Sequence, residues 1–235
     1  MLKKVTVTGS DDLTEPKSLV EITKKYPKVE FGILLSPNRF KNRYPSDYWL
    51  LELFSVWQLN KDNLNLSLHV CGKYVKDICS GNWSFLNQPI LNRVFEMFQR
   101  VQLNFSPYVD QIKQIEFSKG LNIEELKNKQ IIFQLKKINT TIYSSLKNEF
   151  NIVPLFDISG GRGILPSSWP VSTEFTGYAG GLTPDNVKEQ YQNILNVAKG
   201  DFWLDVETGV RTTKEGVDNF DIEKVNLFLK EIFDV

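Results

Sequence analysis

Residues 179–187 read Ala-Gly-Gly-Leu-Thr-Pro-Asp-Asn-Val, and they join a short β-rich run to a longer helix-patterned run. Paired glycines allow the backbone to approach a ligand closely, because they carry no Cβ. Thr183 followed by Pro184 is typical of a helix N-cap with proline at the first helical position. Free backbone N–H groups and the positive end of a helix dipole both favour an anion, so the stretch predicts an anion site between a strand and a helix.

The same alternation of β-rich and helical runs extends along almost the whole chain. Strands are predicted at residues 4–8, 29–35, 64–70, 101–104, 130–135, 152–157, 174–179 and 202–206. Helices are predicted at residues 15–26, 45–58, 88–99, 123–129, 139–150, 184–198 and 221–233, whereas residues 105–117 show no clear pattern. Alternating strands and helices favour a parallel sheet, and eight is the strand number of the (β/α)8 barrel. The sequence therefore predicts an α/β fold, a TIM barrel of the phosphate-binding type.

Length and composition agree with one barrel of ordinary globular character. The chain has 235 residues, of which 41% are hydrophobic and 24% charged, and it shows no low-complexity linker, so we expect one domain over residues 1–235. Lysines plus arginines equal aspartates plus glutamates at 28 each, so no net charge attracts nucleic acid or an anionic membrane surface. The expected partner is a phosphorylated small molecule, with no nucleic acid and no membrane, and the protein is expected to be a monomer or a homodimer.

Targeting signals and cofactor motifs are not recognised in the sequence. The first ten residues carry no long apolar stretch, and no apolar run approaches the roughly 20 residues that a membrane span needs, so we expect a cytoplasmic protein. Cys71 and Cys79 are spaced neither as a zinc knuckle nor as a disulfide framework. With one histidine and scattered carboxylates, neither a metal site nor a cofactor is expected.

A second anion-site signal follows the last predicted strand. Residues 204–210 read Leu-Asp-Val-Glu-Thr-Gly-Val, which is a strand running into a Thr-Gly turn. In barrels, the loops after the seventh and eighth strands commonly form one phosphate site, and the two stretches occupy those places in the strand order. The alternative is that both are ordinary glycine-containing turns.

A carboxylate ends the sixth predicted strand. Residues 155–163 read Leu-Phe-Asp-Ile-Ser-Gly-Gly-Arg-Gly, so Asp157 comes directly before a glycine-rich loop. Catalytic groups of barrel enzymes lie at the C-terminal ends of strands, which makes Asp157 a candidate acid or base. The alternative is an aspartate that only caps the loop by accepting backbone N–H bonds.

Together these motifs resemble phosphoribosylanthranilate isomerase, the barrel enzyme of tryptophan biosynthesis. The resemblance lies in residues 156–163 with Trp169, in residues 179–187, and in residues 205–210 followed by residues 216–218, Gly-Val-Asp. The N-terminal half is similar more weakly, through residues 7–9, Val-Thr-Gly, and residues 31–33, Phe-Gly-Ile, leading to Ser36-Pro37 and the arginines beyond.

The resemblance implies an Amadori rearrangement, in which an acid opens the ring of an aminoaldose and a base then removes the C2 proton. Asp157 stands where the family has its general acid, and Asp205 where it has a substrate-contacting aspartate. Arg39 or Arg43 corresponds to the family's substrate-binding arginine, or else pairs with a surface carboxylate. The backbone N–H groups that the resemblance assigns to the phosphate are those of Gly180, Gly181, Thr208 and Gly209.

One position departs from the family's pattern. The family's first strand ends in Cys-Gly, with the thiolate as base, whereas this chain has Thr8 before Gly9. A threonine hydroxyl cannot remove a carbon-bound proton near neutral pH without an activating base. His69 and Cys71, which share one face of the third strand, are candidate replacements. The alternative is a hydrogen-bonded histidine beside a packed cysteine.

Three functional hypotheses remain open at the level of sequence. The first is an isomerase acting on a phosphorylated sugar or its aryl-amine conjugate, and the second is a sugar-phosphate aldolase, lyase or epimerase with Lys136 as a Schiff-base residue. The third is a barrel without catalysis that binds a phosphorylated metabolite as a sensor or scaffold. Glu207 lies next to the predicted phosphate loop, and strand alternation places it opposite Val206, where we expect it to avoid the ligand.

Overall fold

Strands form where apolar and β-branched residues cluster in the chain. The computed structural model describes residues 1–38, 43–106, 108–157 and 163–234. The barrel strands are β1 (Leu2–Thr8), β2 (Val29–Leu35), β3 (Asn65–Val70), β4 (Arg100–Leu103), β5 (Gln130–Leu135), β6 (Ile152–Asp157), β7 (Thr176–Ala179) and β8 (Phe202–Val206). Each pairs in parallel with the next, and β1 closes on β8, so the predicted (β/α)8 TIM barrel is confirmed.

Helices cover the outside of this barrel. They are α1 (Pro16–Lys25), α2 (Asp47–Gln58), α3 (Lys73–Ile78), α4 (Pro89–Val94), α5 (Gln114–Leu121), α6 (Thr140–Leu146), α7 (Val187–Val197) and α8 (Ile222–Phe233). Side-chain caps fix two of the starts, since Ser46 accepts the N–H of Trp49 at α2 and Asp221 accepts two N–H groups at α8. None of the helices in the described ranges is long and apolar enough to span a membrane.

One predicted helix starts later than expected, another is misplaced, and α3 was not predicted. The helix after β7 starts at Val187 rather than Pro184, because Asn186 and not Thr183 is its N-cap residue. Residues 123–129 form only the short 3-10 turn Glu124–Leu126, and the helix lies earlier, at α5, where the sequence pattern is not legible. A turn lies between β7 and α7 in the first case, and a 3-10 turn lies between α5 and β5 in the second.

A hairpin absent from the predictions follows β8. Its strands are β9 (Arg211–Lys214) and β10 (Val217–Phe220), antiparallel to one another, with Glu215 and Gly216 at the turn. Both turn residues have positive φ, 52° and 80°, which suits glycine and costs the glutamate some strain. The hairpin stands beside the mouth of the barrel and carries Asp218 there.

The lower part of the barrel interior is polar and paired. Glu30 is fully buried and accepts hydrogen bonds from Arg100 Nη1 at 2.9 Å and Thr6 Oγ1 at 3.0 Å, with Lys4 Nζ at 3.3 Å. Burial alone raises the pKa of Glu30, but the charges of Arg100 and Lys4 outweigh it and hold the pKa below its ordinary value. The Arg100 guanidinium also lies 4.2 Å from the ring centroid of Trp203. Glu30, Arg100 and Lys4 therefore form a cluster of paired charges in the barrel interior, below the mouth, and we call this cluster the charged floor.

Candidate active site at the mouth of the barrel

A cavity of about 270 Å³ opens at the C-terminal ends of the strands. It is the place where barrel enzymes carry their catalytic groups. Most of the residues singled out from the sequence line it, namely Arg43, His69, Cys71, Asp157, Gly180, Gly181, Asp205, Thr208 and Gly209. Thr8 stands behind this wall with 1% of its surface exposed, and Arg39 lies outside the described residues.

The glycines after β7 have the backbone conformation that their residue type allows. Gly180 and Gly181 have φ of 118° and 65°, in the region that side chains disfavour. Asn186 Nδ2 donates to the carbonyl oxygen of Gly181 at 2.8 Å, and the N–H of Thr183 donates to Asn186 Oδ1 at 2.9 Å. Asn186, which directly precedes α7, therefore fixes this loop at two points.

The loop after β8 packs directly on the loop after β7. Thr208 and Gly209 begin the 3-10 turn Thr208–Val210, and a Cβ on Gly209 would overlap the carbonyl oxygen of Leu182. A Cβ on Gly181 would overlap the backbone nitrogen of Leu165, on the loop after β6. Three loops thus meet at glycines, and their backbones surround one end of the cavity.

Asp157 ends β6 inside the cavity wall. The side chain is 8% exposed, and Gln134 Nε2 donates to its Oδ2 at 2.9 Å. Gln134 is itself oriented, because its Oε1 accepts the N–H of Ser106 at 3.3 Å. The Asp157 carboxyl group is therefore held on one side by β5 while it faces the cavity on the other.

Asp205 lies near the end of β8, two strands from Asp157, because Asp157 pairs with Ala179 on β7 and Ala179 pairs with Asp205. Thr8 Oγ1 donates to Asp205 Oδ1 at 2.9 Å, which joins the first strand to the last. Burial raises the pKa of Asp205 to about 7, and the negative charges of Glu207, Asp157 and Glu30 add to the rise, while the Thr8 hydrogen bond opposes it. The group is thus able to gain or lose a proton near neutral pH.

His69 is held in the interior as a neutral side chain. It is 1% exposed, and its Nε2 lies 3.1 Å from Ser67 Oγ. Burial lowers the pKa of His69 to about 3, and the positive charge of Arg100 lowers it further against the opposing effect of Glu30. A Cβ on Gly32 would meet both Thr8 Oγ1 and His69 Nε2, so glycine on β2 is needed for these side chains to approach one another. So low a pKa makes His69 a weak base at neutral pH.

Cys71 lines the cavity as a thiol. Asn104 Nδ2 donates to its Sγ at 3.1 Å, and the thiol lies 3.6 Å from the carbonyl oxygen of His69. Burial raises the pKa of Cys71 to about 12, although the hydrogen bonds from Asn104 and Tyr44 oppose the rise. A thiol of that pKa is protonated at neutral pH, and the thiolate is the reactive form.

Glu207 faces the cavity, which corrects the expectation that it avoids the ligand. Glu207 follows Asp205 by two residues, and both side chains line the cavity. Arg43 Nη1 donates to Glu207 Oε1 at 2.5 Å. Burial raises the pKa of Glu207, and the charge of Arg43 opposes that rise. Of the two candidate arginines, the described one is therefore bound to a carboxylate of the protein.

Asp218 holds two arginines at the rim. Its Oδ2 accepts Arg43 Nη2 at 2.6 Å and its Oδ1 accepts Arg211 Nε at 2.9 Å. Arg211 also binds Asp11 at 2.8 Å and the carbonyl oxygen of Gly9. The network joins the loop after β1, the hairpin of β9 and β10, and the end of β8. It gives a structural reason for the Gly-Val-Asp motif at residues 216–218.

Several polar residues of the cavity wall were missed by the sequence reasoning. They are Tyr44, Gln102, Asn104 and Gln134. Gln102, like His69 with which it is paired across β3 and β4, is in an inward register position. Strand alternation applied to β4 and β5 could have found Gln102 and Gln134, because each is two residues from another inward side chain. In the described part of the chain, His, Cys, Asp and Glu side chains form no group of three suited to a metal ion.

Two solved structures align with this chain at low sequence identity. Phospho-2-dehydro-3-deoxyheptonate aldolase (DAHP synthase) from Thermotoga maritima aligns with a TM-score of 0.54 and 11% identity, over 98% of this chain and 68% of that chain. A GH113 β-1,4-mannanase aligns with a TM-score of 0.41 and 13% identity, over 100% of this chain and 84% of that chain, and we draw no conclusion from it. The first likeness concerns the fold alone. Among curated proteins, no match was found.

A family model matches more than half of the chain. It is that of N-(5'phosphoribosyl)anthranilate (PRA) isomerase, over residues 85–231. The matched range contains Asp157, Asp205 and both glycine loops, whereas Thr8, His69 and Cys71 precede it. The order of motifs, the closed barrel and the family match agree. The chain therefore belongs to the N-(5'phosphoribosyl)anthranilate isomerase family.

Proposed function

We propose that the protein is an aldose-ketose isomerase that carries out an Amadori rearrangement on a phosphorylated sugar bearing an amino substituent. The backbone of Gly180, Gly181, Thr208 and Gly209 binds the phosphate, and Asp157 is the general acid. Family membership supports the reaction class, and N-(5-phosphoribosyl)anthranilate is the substrate to test first.

The observation that carries this proposal is the arrangement of the mouth. One end of the cavity is backbone from three loops that pack on one another through glycines, and two carboxyl groups, Asp157 and Asp205, face the remainder. A phosphate bound at the glycine end positions the sugar, so that proton transfer between fixed groups becomes intramolecular. Backbone N–H groups suit the phosphate because they add no mobile charge and need no reorganisation when the ligand binds.

Asp157 is suited to the ring-opening step by its position. Its carboxyl group is fixed through Gln134 and yet borders the cavity. Proton donation to the ring oxygen makes that oxygen a better leaving group as the C1–O bond breaks. General acid catalysis of this kind typically contributes 10²–10⁴-fold to the rate.

A second candidate function is binding of a phosphorylated metabolite without turnover. It is favoured by Thr8 in the place of the family's cysteine, together with the low pKa of His69 and the high pKa of Cys71. The lyase hypothesis has weaker support. Lys136 follows β5 at the start of a 3-10 turn and does not belong to the described lining of the cavity.

The test is to incubate the purified protein with N-(5-phosphoribosyl)anthranilate and follow formation of the 1-deoxyribulose isomer by NMR. We expect the wild type to convert the substrate. Asp157→Asn should lower kcat by about 10²–10⁴-fold. The exposed aspartate Asp62 lies in the turn before β3, and Asp62→Asn should leave kcat unchanged.

Binding separates the two candidate functions. Calorimetric titration with ribose 5-phosphate should give the same affinity for the wild type and for Asp157→Asn, because the phosphate end is intact in both. Binding without conversion by the wild type would favour the sensor function. Absence of both would contradict the assignment of the glycine loops to phosphate.

A further inference from the structure

We propose that Asp205 is the general base that removes the C2 proton, and that Thr8 is a positioning residue that holds the Asp205 carboxylate toward the substrate. This inference rests on the proposed isomerase function and deepens it. The family's base is a cysteine thiolate on the first strand, where this chain has Thr8. The proposal gives the task of the base to Asp205 on the last strand, β8.

The contact between the two strands is the geometric basis. Thr8 Oγ1 and Asp205 Oδ1 are 2.9 Å apart, so Asp205 presents its carboxyl group directly in front of the Thr8 hydroxyl. Thr8 is behind the wall, and Asp205 lines the cavity. A base that acts from this part of the wall therefore reaches the ligand through Asp205. The hydroxyl holds one carboxylate oxygen and leaves Oδ2 for the substrate.

The other described groups near this position are less suited to the task. His69 is bound to Ser67 in the interior and is neutral, and Cys71 is a protonated thiol bound by Asn104. Glu207 is engaged by Arg43 at 2.5 Å. His69 is therefore a weak base, Cys71 carries its proton and Glu207 is paired with a cation, whereas Asp205 is held by the neutral hydroxyl of Thr8.

The charges around Asp205 give it the proton affinity of a good base. Negative groups face it from three elements: Glu207 beyond the end of β8, Asp157 on β6, and Glu30 on β2. Glu207 is partly neutralised by Arg43, and Glu30 by Arg100 and Lys4. With burial as the largest cause, the pKa of Asp205 rises to about 7. General bases act best when their pKa lies near the working pH.

The chemical step balances without any further reactant. Asp157 gives a proton to the ring oxygen as the C1–O bond breaks, and the nitrogen lone pair forms C1=N. Asp205 takes the C2 proton, the C2–H electron pair forms C1=C2, and the C=N electron pair returns to nitrogen. Asp205 then gives the proton to C1 while the C2 hydroxyl proton returns to Asp157, which leaves the ketone and restores both carboxyl groups.

The first experiment compares wild type with Asp205→Asn, which keeps the shape and removes the base. We expect kcat to fall by about 10²–10⁴-fold, with the affinity for ribose 5-phosphate unchanged. In D2O, the wild type should place deuterium at C1 of the product to the extent that the Asp205 carboxyl group exchanges the C2-derived proton with solvent before it protonates C1. A role in substrate contact alone predicts a raised KM with kcat retained, which would overturn the proposal.

The second experiment tests Thr8 through the pH dependence of kcat/KM. The base acts only when deprotonated, so wild-type kcat/KM should rise with pH through a midpoint near the Asp205 pKa of about 7. Because the hydrogen bond from Thr8 lowers that pKa, Thr8→Val should move the midpoint upward, by about one pH unit. Thr8→Ser keeps the hydroxyl and should keep the midpoint. The substrate's own titration is the same for all variants.

The outcomes separate this inference from the function on which it rests. A wild type that never converts the substrate contradicts the isomerase function. A wild type that converts it, with Asp205→Asn equally active or with Thr8→Val and Thr8→Ser showing the same midpoint, overturns the inference and leaves the isomerase function intact. Thermal unfolding of each variant, followed by circular dichroism, checks that a change in activity does not result from loss of the folded structure.

Discussion

The first 84 residues and the range 85–231 contribute unequally to the mouth of the barrel. The matched range supplies Asp157 and both glycine loops, whereas the first three strands supply Thr8, His69 and Cys71. The matched range therefore contains the backbone shapes of the glycine loops and both proposed catalytic carboxyl groups, whereas the first strands contribute side chains that border or position them. Anion binding by backbone tolerates many neighbouring substitutions, while proton transfer depends on the pKa of one group.

Two of the buried contacts between these regions bear on the site. Thr8 binds Asp205 near the mouth, and Glu30 binds Arg100 at the floor. The Thr8 contact lowers the pKa of Asp205, and the Glu30–Arg100 ion pair stabilises the barrel interior below the mouth. Changes on either side of these contacts therefore test whether the regions act separately.

Glu30→Gln should have the largest effect on stability. The change leaves Arg100 buried without its charge partner, and breaking a buried pair in this way typically costs about 3–5 kcal/mol. Urea unfolding monitored by fluorescence measures the loss. A free energy of unfolding equal to that of the wild type would contradict a stabilising ion pair between Glu30 and Arg100.

Glu30→Gln should also change the pH dependence of catalysis at the mouth. Glu30 raises the pKa of Asp205, so its removal should move the acidic midpoint of kcat/KM to lower pH. An unmoved midpoint would indicate that the floor and the mouth are electrostatically separate.

Gly209→Ala should have the next largest effect, on ligand binding. The new Cβ overlaps the Leu182 carbonyl oxygen, so the two loops have to separate. We expect affinity for ribose 5-phosphate, measured by calorimetry, to fall by roughly tenfold to a hundredfold, consistent with the 1–3 kcal/mol cost of overpacking.

Gly200→Ala is the matched control for that loop variant. Its Cβ would lie 2.6 Å from the carbonyl oxygen of Thr173, in the turn before β8 at the other end of the barrel. It should lower stability in the same way and leave the affinity unchanged. Equal losses of affinity in both variants would assign the effect to general unfolding.

Glu207→Gln should produce a moderate gain. Removing this negative charge lowers repulsion of the phosphate and releases one side of Arg43, so affinity for ribose 5-phosphate should rise by roughly threefold to tenfold. Calorimetry at low and high salt measures it, and the gain should shrink with salt. Weaker binding would mean that Glu207 positions Arg43 for the ligand.

His69→Asn should have the smallest effect on turnover. Since His69 is neutral throughout the working pH range, its removal takes away no titrating group. We expect kcat to fall by less than about tenfold, below the contribution of a general base, with an unmoved pH midpoint. A loss of a hundredfold or more would restore His69 as the candidate base.

Sequence patterns reach the strands and the loop glycines because these depend on local chemistry. Alternation and β-branched residues locate all eight barrel strands to within about two residues. Thr183-Pro184 misplaces the start of α7, because residues 184–186 form a turn in which the Asn186 side chain binds Gly181 and Thr183, and the helix begins only at Val187. The pairing of Glu207 with Arg43 and of Thr8 with Asp205 joins residues over 150 positions apart, which no local pattern encodes.

A crystal structure with a stable phosphorylated product analogue tests the central claim most directly. We expect phosphate oxygens on the backbone N–H groups of Gly181 and Gly209, with Asp157 near the ring oxygen of the sugar and Asp205 Oδ2 within about 3.5 Å of C2. An analogue whose phosphate lies away from the glycine loops, or whose C2 faces His69 or Cys71 instead of Asp205, would contradict it.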